Sequence, residues 1–598
     1  MAYPCQKVKA KDGERKFILY VDSSEINNYG SLLKVIPDDY SQLTTVVLPE
    51  QENLTRDYTL DCISHCIAED LTMTTTQIVA HFARNYDKQI SHARAWRAKQ
   101  KALEMRFGTF CESYNNAAEL LKSTPCAEPF SFVDIKDVEI AGCKDFRVLH
   151  RIFWAFAQCT QAFVYCRPVI CVKGMPLCGK YEGMLLTALA FDANGYPIPV
   201  AFAAIEGESK ESWLWFLRNV KHAVVKERSH VCIIHDGKRE LLNAIEDLQN
   251  NPQETHPWKD VKSRWCIQHL AENFFSHFHD RELMMMFKRL CQQSKQSKFV
   301  KIWKELDELT LKFMIDKEGG AGREMRQESV EPCEPVFLAQ TPCNQLNLEE
   351  NNRRTNGSRN QITMFSDWIS TKPMEKWSLL HDTNGARYGI METDINKCNH
   401  VLKLKGIEWL PLHVLVVTFK RVTEYFKNRS AAANKAMGNP CMSFPESVQD
   451  DMNAKTQKAQ LYQVICINTD DTKVLSKEER QIFKVRSTRK EVTVRTALKY
   501  IHNTKNSGCK TISIAQCSCN KVKLFHKPCS HVIAVCCQVG VSPDTYMSPC
   551  YSLPYLVKTW RWKIHSEGYY SLDVRNNRFD IMKMPRGPNV WSVAFLTF

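Results

Sequence analysis

Between residues 145 and 280 the apolar positions come in short unbroken runs separated by polar turns, which is how strands covered on both faces read. Residues 169–172 (VICV) form one run, 184–191 (MLLTALAF) a second and 198–205 a third. The turn between the last two, DANGY at 192–196, has Asn-Gly at its centre and predicts a hairpin. SKESWLWFLRNVKHAVV then reads as a helix with an aromatic face, with Ser209 or Ser212 near its start. Residues 231–234 (VCII) form a fourth strand ending at His235-Asp236-Gly237, and LLNAIEDLQ a second helix.

The flanking pattern differs. Residues 1–50 hold three strand-like runs, at 16–21 (KFILYV), 31–36 and 44–48. Residues 55–125 have helical spacing, with Ile78, Val79 and Phe82 on one apolar stripe and Ala93, Trp96, Leu103 and Phe107 on another. This stretch is rich in bases, which fits a small DNA-binding unit and equally a solvated basic face over a packed core. Residues 280–315 again read as helical, and LPLHVLVVTFKRVTEYFKNR is a strongly amphipathic helix. These changes divide the chain into a strand-rich leader (1–50), a helical region (51–140), a core (145–316) continued at 363–430, a connecting region (431–505), a cysteine-rich segment (506–542) and a tail rich in Tyr and Trp (543–598). Residues 317–362 shift to Gly, Asn, Gln, Arg and Glu and read as a polar linker or insertion. The order β-β-β-α-β-α in the core is that of a ribonuclease-H-like α/β fold.

The 598 residues correspond to about three to five compact units. Apolar runs are far shorter than the ~18–20 residues that span a bilayer, so no membrane partner is expected. The opening MAYPCQKVKAKDGERK lacks the apolar stretch of a secretory signal. The 25 cysteines are therefore expected to be reduced thiols, some of them metal ligands. A formal charge of +14 suits a polyanion partner.

The most specific local chemistry is CSCNKVKLFHKPCSH. Cys517 and Cys519 are one residue apart, as are Cys529 and His531. Structural zinc takes four Cys or His ligands in a tetrahedron, and two close pairs joined by a short loop supply them. A strand through TISIAQ, a β-hairpin over 521–525 and a helix HVIAVCCQVG would give a ββα unit. His526 is an alternative ligand off this spacing. Cys536 and Cys537 fall on the helix and are expected in its core. The segment resembles the SWIM zinc finger, with C-x-C, a variable gap and C-x-H all matched.

The rest of the chain resembles the transposase of Mutator-like elements in plants. The matching text runs through CRPVICVKGMPLCGKYEGMLLTALAFDANGYPIPVAFAAIEGESKESWLWFL, VCIIHDGKRELLNAI, RWCIQHLAENF and KWSLLHDTNGARYGIMETDIN to the finger, over most of residues 50–560. The resemblance implies a ribonuclease-H-like core with a helical insertion. It also implies three carboxylates that hold two divalent metals for phosphodiester transfer.

This chain departs from that pattern. The first acid should end the first strand in a V-D-G-T motif, but the text is Val172-Lys173-Gly174-Met175. The second is matched by Asp236, whose other reading is a strand-end acid capping the next helix. The third should follow R-Y-G-I-M. Arg387-Tyr388-Gly389-Ile390-Met391 is intact, but the glutamate aligns with Lys397, or with Asn396 if the gap moves. Glu392 and Asp394 fall several residues early. A lysine in such a site repels Mg²⁺, so that ion is expected to be lost and Lys173 to pair with Asp236. The C-x₂-H element of the family is matched by Cys266 and His269, two ligands at most. His256, His277 and His279 lie nearby at uninformative spacing.

Three functions follow from the resemblance. One is a zinc-containing, DNA-binding, transposase-derived protein without cleavage activity. Another is an active transposase using Asp236 with Glu392 or Asp394. The third is a protein-interaction module built on the finger. DNA is the expected partner, protein partners remain open and no small-molecule substrate is implied. A nuclear location rests on the family and the basic charge.

Overall fold

The computed structural model describes residues 56–71, 73–109, 130–140, 143–177, 183–254, 257–319, 364–393, 411–439, 442–467, 481–487, 491–502 and 509–561. Short pieces at 7–9, 15–20, 33–36, 45–46, 112–113 and 117 are also described. Residues 320–363, most of the expected linker, lie outside these, as do His256, Asp394, Asn396 and Lys397. The chain forms two compact units, Met1–Thr109 and Phe110–Phe598.

In the first unit, strands β1 (Lys7–Lys9), β2 (Arg15–Tyr20), β3 (Leu33–Ile36) and β4 (Thr45–Val46) make an antiparallel sheet in sequence order. Three helices follow, at Arg56–Glu69, Thr75–Tyr86 and His92–Phe107. Thr74 and Gln77 form a reciprocal capping box at the second helix, and Ser91 caps the third. Trp96, expected in an apolar stripe, is 47% exposed, and the buried positions on its helix are Ala95, Ala98, Lys99, Leu103 and Phe107. The buried stripe runs beside the one expected because Ala95 and Ala98 let the helices approach closely, while the indole is too large for that seam.

The second unit is built on a mixed seven-stranded sheet of β5 (Phe130–Ile140), β6 (Cys143–Phe156), β7 (Val169–Leu177), β8 (Gly183–Phe191), β9 (Pro197–Ile205), β10 (Cys232–His235) and β11 (Lys262–Trp265). Its spatial order is β11-β10-β7-β8-β9-β6-β5. β7, β8 and β9 pair antiparallel, while β10 runs parallel to both β7 and β11. β9 is buried at every position, and Trp154 of β6 stacks on its Phe202 at 5.6 Å. Each such aromatic contributes roughly 1.5–3 kcal/mol by leaving water. β5 falls in the stretch read as helical. It pairs with β6 through three register shifts, and the one between Lys136 and Asp137 breaks its period of two.

The hairpin turn at 192–196 forms as its sequence dictates. Gly195 takes φ +88°, and the buried Asp192 carboxylate accepts the Tyr196 N–H at 2.8 Å. Asp192 also accepts the Trp560 indole N–H at 2.9 Å, tying the hairpin to the helix Leu553–Trp560. The helix Lys210–Val220 is capped by Ser209, whose Oγ accepts the Ser212 N–H. The helix Arg239–Asn250 leads to β11, and Ile267–Phe278 follows at once. Helices Arg281–Cys291, Gln296–Gly319, Phe365–Ser370 and Met374–Trp377 cover the latter with an aromatic core in which Phe274 stacks on Phe287 at 5.0 Å.

A second antiparallel sheet, β12 (Gln463–Cys466), β13 (Gln481–Arg486), β14 (Glu491–His502) and β15 (Cys509–Cys517), lies in sequence order. It shares a core with the helices Glu446–Ala459 and Ser530–Val539. No described helix is long and apolar enough to cross a membrane.

Candidate functional site

Strand ends on the mixed sheet bring the first two expected catalytic positions to one level. The β7–β10 register pairs Ile234 with Cys171, and its continuation sets Asp236 level with Lys173. The expected ion pair between these two does not form. Asp236 faces Lys238 at 3.7 Å, and Lys238 also binds Glu208. The Asp236 carboxylate additionally accepts the Lys238 backbone N–H at 3.2 Å, closing a local turn that favours the neighbouring lysine over the one on the next strand.

Glu208 was not expected here. It lies beyond β9 in a polar loop that carries no motif, yet its carboxylate rests against Gly174, where a methyl group would overlap it. Glu392 is turned away, pairing with Lys288 at 3.0 Å. Among the described residues, these acids do not converge into a metal-sized group.

Cys266 and His269 do meet. Cys266 precedes the helix Ile267–Phe278, and its Sγ accepts the Thr393 N–H at 3.3 Å. Burial opposes ionisation of this thiol, but hydrogen bonds and charge from His269 outweigh it and hold its pKa below the ordinary thiol value. The His269 pKa is raised, chiefly by the hydrogen bond with Cys266 and against burial. The Lys173 charge lowers it and that of Asp236 raises it. Among the described residues no third ligand completes a metal group with this pair. His277 packs on Phe278, and His279 is the left-handed C-cap of the same helix.

The R-Y-G-I-M segment is anchored from both sides. Arg387 is fully buried, donating to the Trp265 carbonyl at 3.0 Å and to the Lys376 carbonyl. Its backbone N–H reaches Asp382 at 2.9 Å, and Asp382 in turn binds the buried Arg264 at 2.8 Å. Past Arg387, the Met391 carbonyl accepts the Ile267 N–H at 2.9 Å. Tyr388 stacks on His526 at 3.8 Å.

The four cysteine-cluster residues form one group whose donor atoms all lie within 4.8 Å of one another, and it could hold a metal ion. The Cys517 and Cys529 sulfurs stand 3.6 and 3.8 Å from His531 Nδ1. A tetrahedron with metal–sulfur bonds of about 2.3 Å has edges of about 3.7 Å, so the spacing is compatible with zinc. Three thiols and one imidazole are also a donor set that zinc prefers over harder ions. β15 delivers Cys517 at its end, a turn places Cys519, and Cys529 is the N-cap of the helix that carries His531. The crowded thiols share hydrogen bonds, and Cys517 and Cys529 are pushed up in pKa while Cys519 is pulled down. Tyr462 stacks on the His531 ring at 5.1 Å.

The expected β-hairpin over 521–525 is instead a short helix, Lys521–Phe525, bounded by left-handed Asn520 and His526. A helical turn rises only ~1.5 Å per residue and so returns the chain to the ligands over a short distance. It also drops Leu524 into the aromatic core and Val522 into the core of the second sheet. His526 is not a ligand, because its Nε2 binds the Gly385 carbonyl at 2.9 Å. Cys536 is buried as expected, whereas Cys537 is exposed, one helical position away from the core face.

A mixed α/β core with a Cys₃His cluster after it defines the chain in general terms. The family model of the MULE transposase domain matches residues 169–273, from the start of β7 into the helix Ile267–Phe278. This supports a Mutator-like transposase and a transposase-derived function. No curated protein matches the chain.

Proposed function

We propose that the chain is a zinc-binding, DNA-binding protein derived from a Mutator-like transposase, that it acts in the nucleus, and that it does not cleave DNA. Counted from β7, the sheet order third-second-first-fourth-fifth supports a ribonuclease-H-like core. The C-x-C and C-x-H pairs support a SWIM-type finger whose zinc is structural, held by Cys517, Cys519, Cys529 and His531.

One observation carries the loss of cleavage. An ammonium-bearing residue, Lys173, stands level with Asp236 where the resemblance requires an acid, and the Asp236 carboxylate is already engaged by Lys238. Two-metal catalysis needs converging carboxylates, and a cation at that position opposes Mg²⁺. Replacement of the third acid by Lys397 belongs to the same reading.

The test uses the purified full-length chain, supercoiled plasmid and Mg²⁺ or Mn²⁺. The expected result is about one zinc per chain, as four ligands imply, with no nicking. Metal-dependent nicking abolished by Asp236→Ala would overturn the reading in favour of an active transposase.

A further inference from the structure

The three helices of the first unit carry charge very unevenly. Arg56–Glu69 holds the acids Asp57, Asp61 and Glu69 against the single base Arg56. His92–Phe107 holds Arg94, Arg97, Lys99, Lys101 and Arg106 against the single acid Glu104. The helices pack through Leu60, Ile63 and Ile67, Ile78 and Phe82, and Ala95, Ala98, Leu103 and Phe107, all buried. Between the second and third helices the chain turns at Asp87 (φ 51°), buries Ile90 and restarts at the Ser91 cap. This is a helix–turn–helix whose second member is the basic one.

The outward face of that helix begins with exposed His92 and Ala93, half-buried Arg94, and exposed Trp96 and Arg97. Trp96 is 47% exposed, and among the described residues the side chains of Arg94, Trp96 and Arg97 have no partner. Further along the helix Lys101 pairs with Glu104 at 3.5 Å. A large aromatic kept in water beside two uncommitted guanidinium groups, on the first turns of a helix, is a surface suited to a polyanion. Guanidinium forks match phosphate and guanine edges, and an indole supplies apolar contact to bases or sugars.

We infer that the helix His92–Phe107 is the recognition helix of this chain and enters the major groove of duplex DNA, with Arg94 and Arg97 on phosphate or base edges and Trp96 against the groove wall. The inference deepens the DNA-binding reading above and rests on it. The major groove admits one α-helix. The acidic first helix repels phosphate, which favours approach to a duplex by the third helix.

The test is fluorescence anisotropy of the zinc-loaded full-length chain on a labelled random-sequence duplex pool, at KCl concentrations from 50 to 200 mM. Each phosphate contact adds about 0.9 to the slope of log affinity against log salt. Arg94→Ala with Arg97→Ala is expected to weaken binding by roughly tenfold or more and to lower that slope by about 2. Trp96→Ala is expected to weaken binding several-fold with the slope unchanged, and Asp61→Asn to leave it no weaker. Asp61, Trp96 and Arg97 are exposed and Arg94 is half-buried with no side-chain partner among the described residues, so the thermal transition should stay in place. A chain that binds duplex equally well with and without Arg94 and Arg97 overturns the recognition helix while leaving the DNA-binding reading standing. A wild-type chain that does not bind duplex overturns both.

Discussion

Acid should weaken the core of this protein through His235. Its ring is completely buried at the end of β10. Nδ1 accepts the Gly237 N–H at 3.0 Å, so the proton sits on Nε2, which donates to Ser263 Oγ at 2.9 Å. Burial pushes the ring's pKa down to about 3, and the charges of Lys376 and Arg387 push in the same direction. In the unfolded chain the value is about 6.5. Below about pH 6.5 the unfolded chain therefore binds a proton that the folded chain refuses. The stability supplied by the neutral ring is complete above that pH and is lost as pH falls toward 3. Between pH 7 and pH 5 the loss from this residue is about 2 kcal/mol. His235→Gln should cost about 1–3 kcal/mol at pH 7 by disturbing two buried hydrogen bonds. It should also make the pH 7-to-5 loss about 2 kcal/mol smaller than in the wild type. Urea unfolding followed by tryptophan fluorescence at both pH values measures this difference, and other titrating groups cancel in it. Equal acid losses in the two proteins would refute the assignment.

Other predictions follow from the same geometry. Cys529→Ser should drop zinc from about one per chain to near zero by elemental analysis, and unchanged stoichiometry would remove Cys529 from the ligand set. Gly385→Ala adds a methyl that overlaps the Lys523 carbonyl oxygen at a residue with φ +63°. Left-handed strain and overpacking together should cost about 3 kcal/mol in urea unfolding, and a loss below about 0.5 would mean that the finger does not press on this turn. Asp382→Asn leaves the buried Arg264 guanidinium with Glu375 as its remaining charged partner and should cost about 1.5–3 kcal/mol in the same assay, whereas no measurable change would show the site to be solvated.

Legibility in the sequence followed locality. Strands β7 to β10 are apolar runs bounded by turn residues, and Ser209 as cap and the Asn-Gly turn are local signals. The four finger donors were legible because their spacing is nearly the whole of their geometry. β5 hides its strand character because the register shift between Lys136 and Asp137 breaks the alternation of Val133, Ile135, Val138 and Ile140 with charged residues. β11, with the sequence KSRW, has almost no apolar content and is a strand only because β10 supplies its hydrogen bonds. At the strand-end site the sequence placed Lys173 and Asp236 at one level. It could not say which of two lysines Asp236 would choose, and Glu208 was invisible until folding brought it against Gly174. Trp96 was assigned to a buried stripe because helical spacing does not distinguish adjacent stripes, and the small Ala95 and Ala98 decide which one packs.

The finger and the core hold each other through the segment between the ligand pairs. Leu524 is fully buried among residues of the helical cover, such as Phe287, Trp377 and Met391, and Phe525 lies against Gly389. His526 stacks on Tyr388 and holds the Gly385 carbonyl, while the Tyr551 hydroxyl donates to the Phe525 carbonyl at 2.9 Å. The contacts of Phe525 and His526 with Gly385, Tyr388 and Gly389 fall on a segment that continues directly into the Met391 and Thr393 backbone bonded to Ile267 and Cys266. Metal loss would free the nine-residue segment 520–528, which carries the core residues Val522 and Leu524 and the stacked His526 ring. The disturbance would reach Cys266 and His269 at the strand ends as well as the finger itself. Hydrogen exchange on the chelated chain should therefore rise at residues 385–393 together with 517–539. A rise confined to 517–539 would mean that the finger is held to the core by nothing more than the chain.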